Sequence, residues 1–244
     1  MQAKLSTGTV HAYVLSPDGH PIDSRHIAQA SKVEELTAML ERTAARLKTP
    51  AGKPLLKPQS QSAPPGSKAG ALVLHLTART LRREGDEWVK VLPRLGATRS
   101  SGWGAYAAED WIVLDREEWT KLLPAVAVKA GVSWELDGGA SARILTHVYP
   151  STENNDVSKN RIDRQELKAT VLSVQGGVAR ARVDGRLRMK HPFYHKDDDN
   201  FVDATLVGWL EFEPAAKRIR TFQLATDQAT YGRMRFGAVV RSVP

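Results

Sequence analysis

Apolar and polar residues alternate through most of the last third of the chain. The alternation covers 166–174, 178–190, 201–212, 218–226 and 236–243. Because successive side chains of a strand point to opposite faces, this alternation indicates strands with one buried face. Turn residues separate the segments, among them Gly176 and Gly177. The pattern predicts an antiparallel meander of at least five strands.

Two segments before this meander have helical spacing. Asp115 and Glu118 have the spacing of a capping box, and apolar residues then repeat at helical intervals through 116–123. A second helix is predicted over 140–148, with Asp137 as its cap. Short strands are predicted at 72–77, 88–92, 111–114 and 134–136. We therefore expect the meander to pack against these two helices.

The N-terminal segment has the pattern of a hairpin followed by a helix. Residues 10–15 are β-prone, and Ser16-Pro17-Asp18-Gly19 is a strong turn signal. Ser31 and Glu34 match a capping box, and apolar residues then follow helical spacing to about Lys48. This ββα unit is too small to bury both faces of its sheet, so it must dock on something else.

A proline-rich segment at 49–70 separates this unit from the rest. It holds five prolines with Gly, Ser, Gln and Lys between them, a composition that does not form a packed core. We therefore expect three segments: a ββα unit at 1–48, a linker at 49–70, and an antiparallel β-sheet domain with helices at 71–244. The predicted fold class is α+β.

The composition excludes several classes of function. The 244 residues include no cysteine, which excludes disulfides, thiol redox chemistry and cysteine nucleophiles within this chain. There are 35 Lys and Arg against 27 Asp and Glu, for a net charge of +8. No segment approaches the roughly 18 apolar residues of a membrane helix, so we expect no membrane span. We expect a periplasmic or secreted protein if an upstream signal is missing from this chain, and a cytoplasmic one otherwise.

Residues 9–48 resemble the C-terminal half of a thioredoxin-like domain. The resemblance is carried by Val10–Gly19, a strand with an Asp-Gly hairpin turn, and by the return strand and the 33–47 helix. The active half of that family, with its redox motif, is missing, and Gly8 and Thr9 stand where the family has a cis-proline. The resemblance implies a truncated or degenerate relative in which thiol chemistry is not retained.

Residues 109–243 resemble secreted bacterial proteins of the planctomycete type, a family without an established reaction. Leu123-Pro124 and the V-x-x-G-x-x-W pattern at 128–134 carry the resemblance, together with the strand at 206–212 and its return at 218–222. Those proteins look like curved antiparallel sheets of the lipoprotein-carrier kind. The resemblance implies a curved sheet, joined here to a thioredoxin-like unit.

A stripe of cations is predicted on the strand at 178–190. Its members alternate with apolar residues, which places them on one face: Arg180, Arg182, Arg186, Arg188 and Lys190. One interpretation is a polyanion-binding surface. The other, which we favour, is a solvent face on which at least two cations meet carboxylates of neighbouring strands. Few aromatic residues interleave with the stripe, so we do not expect nucleic acid as a partner.

Six tryptophans follow the linker and offer a second kind of site. Aromatic side chains on the concave side of a curved sheet can hold an apolar ligand. The candidate ligand-binding residues are Trp103, Trp134 and Trp209. The alternative, which we favour, is that the tryptophans form the core between the sheet and the helices.

A third cluster has the composition of a metal site. His191, His195, Asp197 and Asp199 fall within nine residues, and imidazole and carboxylate groups bind divalent metals. Pro192 excludes a helical pair of ligands at this point. We favour a solvated loop without a tightly bound metal.

No catalytic residue is assigned and no cofactor is expected. The sequence has no G-x-S-x-G, H-E-x-x-H or phosphate-loop motif. We predict a non-catalytic binding or accessory module of a secreted or cell-envelope protein, with another protein or a small apolar ligand on the sheet. The alternatives are a degenerate or truncated thioredoxin-like redox protein whose active half is missing, and a polyanion-binding protein.

Overall fold

A computed structural model describes residues 11–49, 65–92, 103–152, 156–192 and 200–243. The chain divides into two compact units, Met1–Ala63 and Pro64–Pro244. The division falls inside the proline-rich segment at 49–70.

The first unit is a hairpin followed by two helices. β1 (His11–Leu15) pairs antiparallel with β2 (Pro21–His26), and α1 (Ile27–Ala30) and α2 (Val33–Leu47) come next. Gly19 has a φ of +86° in the turn, a conformation that glycine adopts without strain.

The capping box predicted at Ser31 and Glu34 is wrong. Ser31 is the C-cap of α1, and the N-cap of α2 is Lys32, whose side chain makes no capping hydrogen bond. The Ser31 hydroxyl donates to the carbonyl oxygen of Ala28 at 3.3 Å. The short helix α1 therefore uses Ser31 at its own C-terminus.

In the described part of the second unit, nine strands form one sheet in which every pair is antiparallel. The strands are β3 (Leu72–Glu84), β4 (Glu87–Lys90), β5 (Ala108–Leu114), β6 (Ser133–Glu135), β7 (Arg161–Gln175), β8 (Val178–Lys190), β9 (Phe201–Glu213), β10 (Arg218–Tyr231) and β11 (Met234–Ser242). Their order is β4-β3-β11-β10-β9-β8-β7-β6, and β5 also pairs with β3.

The predicted meander is confirmed, since β7 to β11 cover the five alternating segments and each pairs with the next. Several bounds differ. β7 begins five residues earlier than predicted, β3 continues through 79–84 beyond its predicted end at Thr77, and β10 and β11 extend to meet at a tight turn. The second unit is mostly β with a few helices, which is compatible with the predicted α+β class.

The described helices of the second unit are short. α3 (Arg116–Trp119) begins with the predicted capping box, in which Asp115 N donates to Glu118 Oε2 at 2.9 Å. α4 (Gly138–Leu145) is capped by Asp137, whose Oδ1 accepts from Ala140 N at 2.8 Å. None of the described helices is long and apolar enough to cross a membrane.

The sheet has a face covered by these helices and an exposed face. On the covered face, Phe212 and Phe222 belong to the same buried cluster as Trp119 and Ile144 of the helical segments. The sheet therefore packs against both predicted helices. We call the opposite face, which carries residues such as Arg182, the outer face.

Candidate functional site

The cation stripe of β8 lies on the outer face, as predicted. The residues between the cations are buried: Ala179, Ala181, Val183, Leu187 and Met189. The four arginines of the stripe are exposed, and Lys190 is half-buried. Because the apolar set must stay in the core, the register of β8 holds the cations on the outer face.

Carboxylates of β9 neutralise part of this stripe. Arg188 Nη1 donates to both oxygens of Asp203, each at 2.9 Å, and Arg180 Nε lies 3.5 Å from Glu211 Oε1. Asp203 and Glu211 are the register partners of these two arginines. The prediction that at least two cations meet carboxylates of neighbouring strands is confirmed.

Arg186 differs from its neighbours on the stripe. Arg182 Nε donates to both oxygens of Asp184, at 2.9 and 3.0 Å. Arg186 makes no hydrogen bond or ion pair with any described residue. Since a guanidinium stays charged at all physiological pH values, Arg186 brings an uncompensated positive charge to the outer face.

A groove of about 390 Å³ crosses the outer face next to Arg186. Four arginines line it, two from β8 and one each from β7 and β11: Arg164, Arg186, Arg188 and Arg235. Asp203 contributes the one carboxylate of the lining, and three neutral polar residues also line it: Thr205, Gln228 and Thr230. We call this feature the arginine groove.

The strand register explains why these side chains meet. One row of cross-strand neighbours runs from β7 to β11 through Arg164, Arg188, Asp203, Thr230 and Arg235. An adjacent row holds Glu166, Arg186, Thr205 and Gln228. Cβ atoms of directly opposite residues are about 5 Å apart, so the two rows gather charges from four strands in one place.

A β-bulge in β10 shapes this part of the face. Its register with β9 shifts between Thr226 and Gln228, so Asp227 is the extra residue. Gln228 N donates to Thr205 Oγ1 at 3.2 Å, and Ala238 N donates to Thr226 Oγ1 at 2.9 Å. Threonine hydroxyls thus replace carbonyl oxygens of the ladder as acceptors. Bulges reorient side chains beside binding sites, and this one turns Gln228 toward the arginine groove.

Aromatic rings of the outer face carry stacked guanidinium groups. The centroids of Trp209, Phe201 and Trp88 lie 4.6, 4.2 and 4.9 Å from the guanidinium carbons of Arg180, Arg188 and Arg235, respectively. The sequence pattern missed these contacts because the rings belong to β9 and β4, and only strand pairing brings them to the cations. A ring face that already holds a guanidinium is not open to a nucleobase.

The tryptophans predicted to bind an apolar ligand do not share one surface. Trp209 lies on the outer face, whereas Trp134 packs at the covered face, 5.9 Å from Phe212 between ring centroids. Trp134 Nε1 donates to the Leu122 carbonyl oxygen at 3.0 Å. Trp103 begins a 3-10 turn, and its side chain lies outside the described part. Trp134 and Phe212 line a separate groove of about 1020 Å³ together with residues 123–128.

His191, the first of the predicted metal ligands, is buried with both ring nitrogens engaged. Nδ1 lies 2.7 Å from Asn160 Oδ1, and Nε2 lies 2.8 Å from Thr152 Oγ1. Tyr149 stacks on the ring at 4.2 Å, and Tyr231 packs edge-on at 5.3 Å. A metal would have to displace one of the two hydrogen-bond partners. The other candidate ligands lie outside the described residues: His195, Asp197 and Asp199.

One histidine–aspartate pair has the geometry of a catalytic dyad. His147 Nδ1 lies 2.6 Å from Asp110 Oδ2. Burial acts to raise the pKa of Asp110, but the hydrogen bond and charge of His147, with the Trp111 N–H, hold it below its usual value. Burial and the charges of Asp110 and Asp156 raise the pKa of Tyr149 to about 12. No described hydroxyl is hydrogen-bonded to His147 Nε2, so the described residues offer the pair no nucleophile at that nitrogen.

Comparison with known protein families, with curated proteins and with solved structures gave no match. The thioredoxin-like and lipoprotein-carrier-like resemblances therefore remain interpretations of the sequence. The chemistry of the arginine groove is the strongest functional signal in the described part of the chain.

Proposed function

We propose that the protein is a non-catalytic binding or accessory module and that an anionic ligand or partner docks on the outer face of the sheet. The supporting observation is the charge of the arginine groove, which has four guanidinium groups and one carboxylate. Asp203 pairs with Arg188, and Glu166 beside the groove pairs with Arg164, which leaves Arg186 and Arg235 without an ion pair to a described residue. Like charges held close together repel one another, and a bound anion relieves that repulsion.

The character of the four side chains supports an anionic partner. A guanidinium presents its N–H donors in a planar fork that matches carboxylate, phosphate or sulfate oxygens in pairs. The net charge of +8 also attracts anions to the surface and speeds their encounter with it. The β8 stripe by itself is a weaker argument, since three of its five cations are paired with carboxylates.

A binding role also agrees with the resemblance of 109–243 to curved sheets of the lipoprotein-carrier kind, a family without an established reaction. The alternative of a thioredoxin-like redox protein lacks a thiol in this chain, so its chemistry would need a thiol from outside these 244 residues. The binding proposal needs only the side chains already present on the outer face.

A pair of double variants tests whether the arginine groove is the docking site. The groove variant, Arg164→Ser/Arg186→Ser, removes two cations of the arginine groove. The control variant, Arg218→Ser/Arg220→Ser, removes two cations of β10 that do not line the groove and that both pair with Glu213 of β9. Both lower the net charge by two. On immobilised heparin, we expect the groove variant to bind about tenfold more weakly, since two exposed charge contacts contribute roughly 1.4 kcal/mol together.

The control variant should elute at nearly the salt concentration of the wild type. Equal losses in both double variants would mean that heparin senses net charge and not the groove. A wild-type protein that passes through heparin without retention at low salt would refute the anionic partner. Circular dichroism of each variant confirms that the comparison is made between folded proteins.

A second candidate function is the binding of a small apolar ligand in the groove beside Trp134. Val126 lines that groove and is 57% exposed to solvent. A ligand that covers this residue would remove apolar surface from water, which favours binding. We expect Val126→Ser to reduce the fluorescence enhancement of the apolar dye ANS severalfold. Val239→Ser, at an exposed position on β11 of the outer face, should leave it unchanged, and equal responses of the two variants would contradict this function.

A further inference from the structure

We infer that α2 of the first unit pairs with α2 of a second copy of this chain, in an antiparallel dimer whose two-fold axis passes beside Leu40. This interaction belongs to the first unit and does not depend on the arginine groove. It would cover apolar side chains that the hairpin and helices of the first unit leave exposed.

Three large apolar residues of α2 are exposed along one stripe of the helix. Val33, Leu40 and Leu47 are 75%, 50% and 48% exposed. They follow one another at intervals of seven residues, close to two helical turns, so they lie on the same side of α2. Leu36 and Ala44, both half-buried, border the stripe. Single exposed apolar residues are common on protein surfaces, but an aligned row on one helix is typical of a helix–helix contact.

The hairpin of the first unit covers a different face of the same helix. Met39 and Thr43 are buried, and Thr43 Oγ1 donates to Asp23 Oδ2 of β2 at 3.3 Å. Successive residues lie about 100° apart around a helix. The side that Met39 turns to the hairpin is therefore not the side that carries Leu40, and the stripe remains exposed for a partner.

The charges of α2 select the direction of the second helix. Glu34 and Glu35 lie in the first turn, whereas Arg46 and the C-cap residue Lys48 lie at the other end. A parallel copy would bring like charges together, while an antiparallel copy places each acidic end beside a basic end. The helix dipoles favour the same direction. Neither Glu34 nor Lys48 has an ion pair with a described residue, so both are available to the second copy.

The stripe is also symmetric about its middle residue. With the two-fold axis beside Leu40, the two Leu40 side chains meet, and Val33 of each copy meets Leu47 of the other. Glu34 then lies within about one helical turn of Lys48 of the other copy. A two-fold dimer requires such a self-complementary surface.

We expect a weak dimer whose population depends on concentration. α2 has 15 residues and is therefore about 22 Å long. Two helices of this length bury less than the roughly 1,200 Å² of a stable interface. A dissociation constant on the order of 10 to 100 µM is expected for a contact of this size.

Sedimentation equilibrium of the full chain tests whether the stripe forms the dimer. Leu40→Gln removes the central contact from both copies and keeps a good helix former, so it should raise the dissociation constant at least about tenfold. Leu172→Gln is the matched control, because Leu172 of β7 is also 50% exposed, and it should dimerise like the wild type. Equal losses in the two variants would overturn the inference. A wild-type chain that stays monomeric well above the expected range would also overturn it and leave the stripe to a different partner.

Single cysteines show which residues meet, since the chain has none of its own. Under oxidising conditions, Leu40→Cys should form a disulfide-linked dimer, because a disulfide joins residues with Cα atoms within about 7 Å. Val33→Cys alone should stay unlinked, since its two copies would lie about 21 Å apart along the helices. A mixture of Val33→Cys and Leu47→Cys should link, and Leu172→Cys controls for random collision. Efficient linking of Val33→Cys to itself would indicate parallel helices and overturn the inference.

An exchange of charges tests the ion pair between the copies. Glu34→Lys and Lys48→Glu should each weaken the dimer severalfold, because each variant brings like charges together at both ends of the contact. The double variant Glu34→Lys/Lys48→Glu restores opposite charges and the net charge of the wild type, so it should recover most of the affinity. Circular dichroism confirms that each variant retains its helix. A double variant as weak as the single ones would overturn the antiparallel arrangement.

Discussion

Gly208→Ala is expected to destabilise the second unit by more than about 3 kcal/mol, at or beyond the upper end of ordinary overpacking. Gly208 lies in the middle of β9 and pairs with Leu224 of β10. A Cβ at this position would lie 3.0 Å from Leu224 Cα and 3.1 Å from the Gln223 carbonyl carbon, with the Gln223 oxygen closer still. These are backbone atoms of a paired strand, so they cannot move aside without breaking the β9–β10 ladder.

Gly237→Ala is the matched control on β11. A Cβ there would meet only Leu81 Cδ1, at 3.4 Å, the end of a flexible side chain that can shift. We expect the free energy of unfolding of this variant to lie within about 1 kcal/mol of the wild-type value. Chemical denaturation followed by circular dichroism measures both. A Gly208→Ala protein with the wild-type denaturation midpoint would show that β9 and β10 do not approach each other so closely.

The strands that the sequence predicted best are those in which large apolar residues alternate with charged ones. β8 is the clearest case, because all of its arginines are exposed and the apolar residues between them are buried. The alternation pattern does not predict the part of β3 beyond Thr77, and the reason is physical. The buried positions there are Ala78 and Thr80, which are too small or too polar to stand out against the basic residues between them.

The end of β10 was missed because the bulge at Asp227 breaks the period of two. Leu224 and Ala229 both face the core although they are five positions apart in the sequence. Strict alternation would place these two residues on opposite faces. A change of phase in mid-strand resembles the end of a strand. The predicted strand therefore ends at Thr226, whereas β10 continues to Tyr231.

The arginine groove could be predicted only in part. The β8 cations follow from local alternation. Arg235 lines the same groove only because three successive strand pairings and a bulge bring β11 beside it, and no short segment of the sequence predicts those pairings. The face on which Trp209 lies could have been predicted from the sequence. Trp209 alternates with Gly208 and Leu210, which face the core, so the period of β9 already assigned it to the outer face.

His191→Ala is expected to lower the free energy of unfolding by about 3 kcal/mol, the sum of a cavity and of unpaired polar groups. The ring is fully buried between Tyr149 and Tyr231. Its contact with Asn160 places a proton on Nδ1. Asn160 Nδ2 donates to the Thr146 carbonyl oxygen at 2.8 Å, which leaves Asn160 Oδ1 to accept from His191 Nδ1.

On the other side of the ring, His191 Nε2 lies 2.8 Å from the Thr152 hydroxyl oxygen. Truncation would remove the imidazole partner of the half-buried Asn160 and of that hydroxyl. His20→Ala, whose side chain is 81% exposed, is the control for loss of an imidazole and should change stability by less than about 0.5 kcal/mol.

The same melting experiment decides between a structural and a metal-binding role for His191. If hydrogen bonds and packing account for the stability, the difference between wild type and His191→Ala is the same with a chelator as with micromolar zinc. If the ring instead helps His195, Asp197 and Asp199 to bind a metal, the chelator should abolish that difference, because metal binding stabilises only the folded chain that carries all its ligands. Two engaged ring nitrogens and stacking on Tyr149 favour the first outcome.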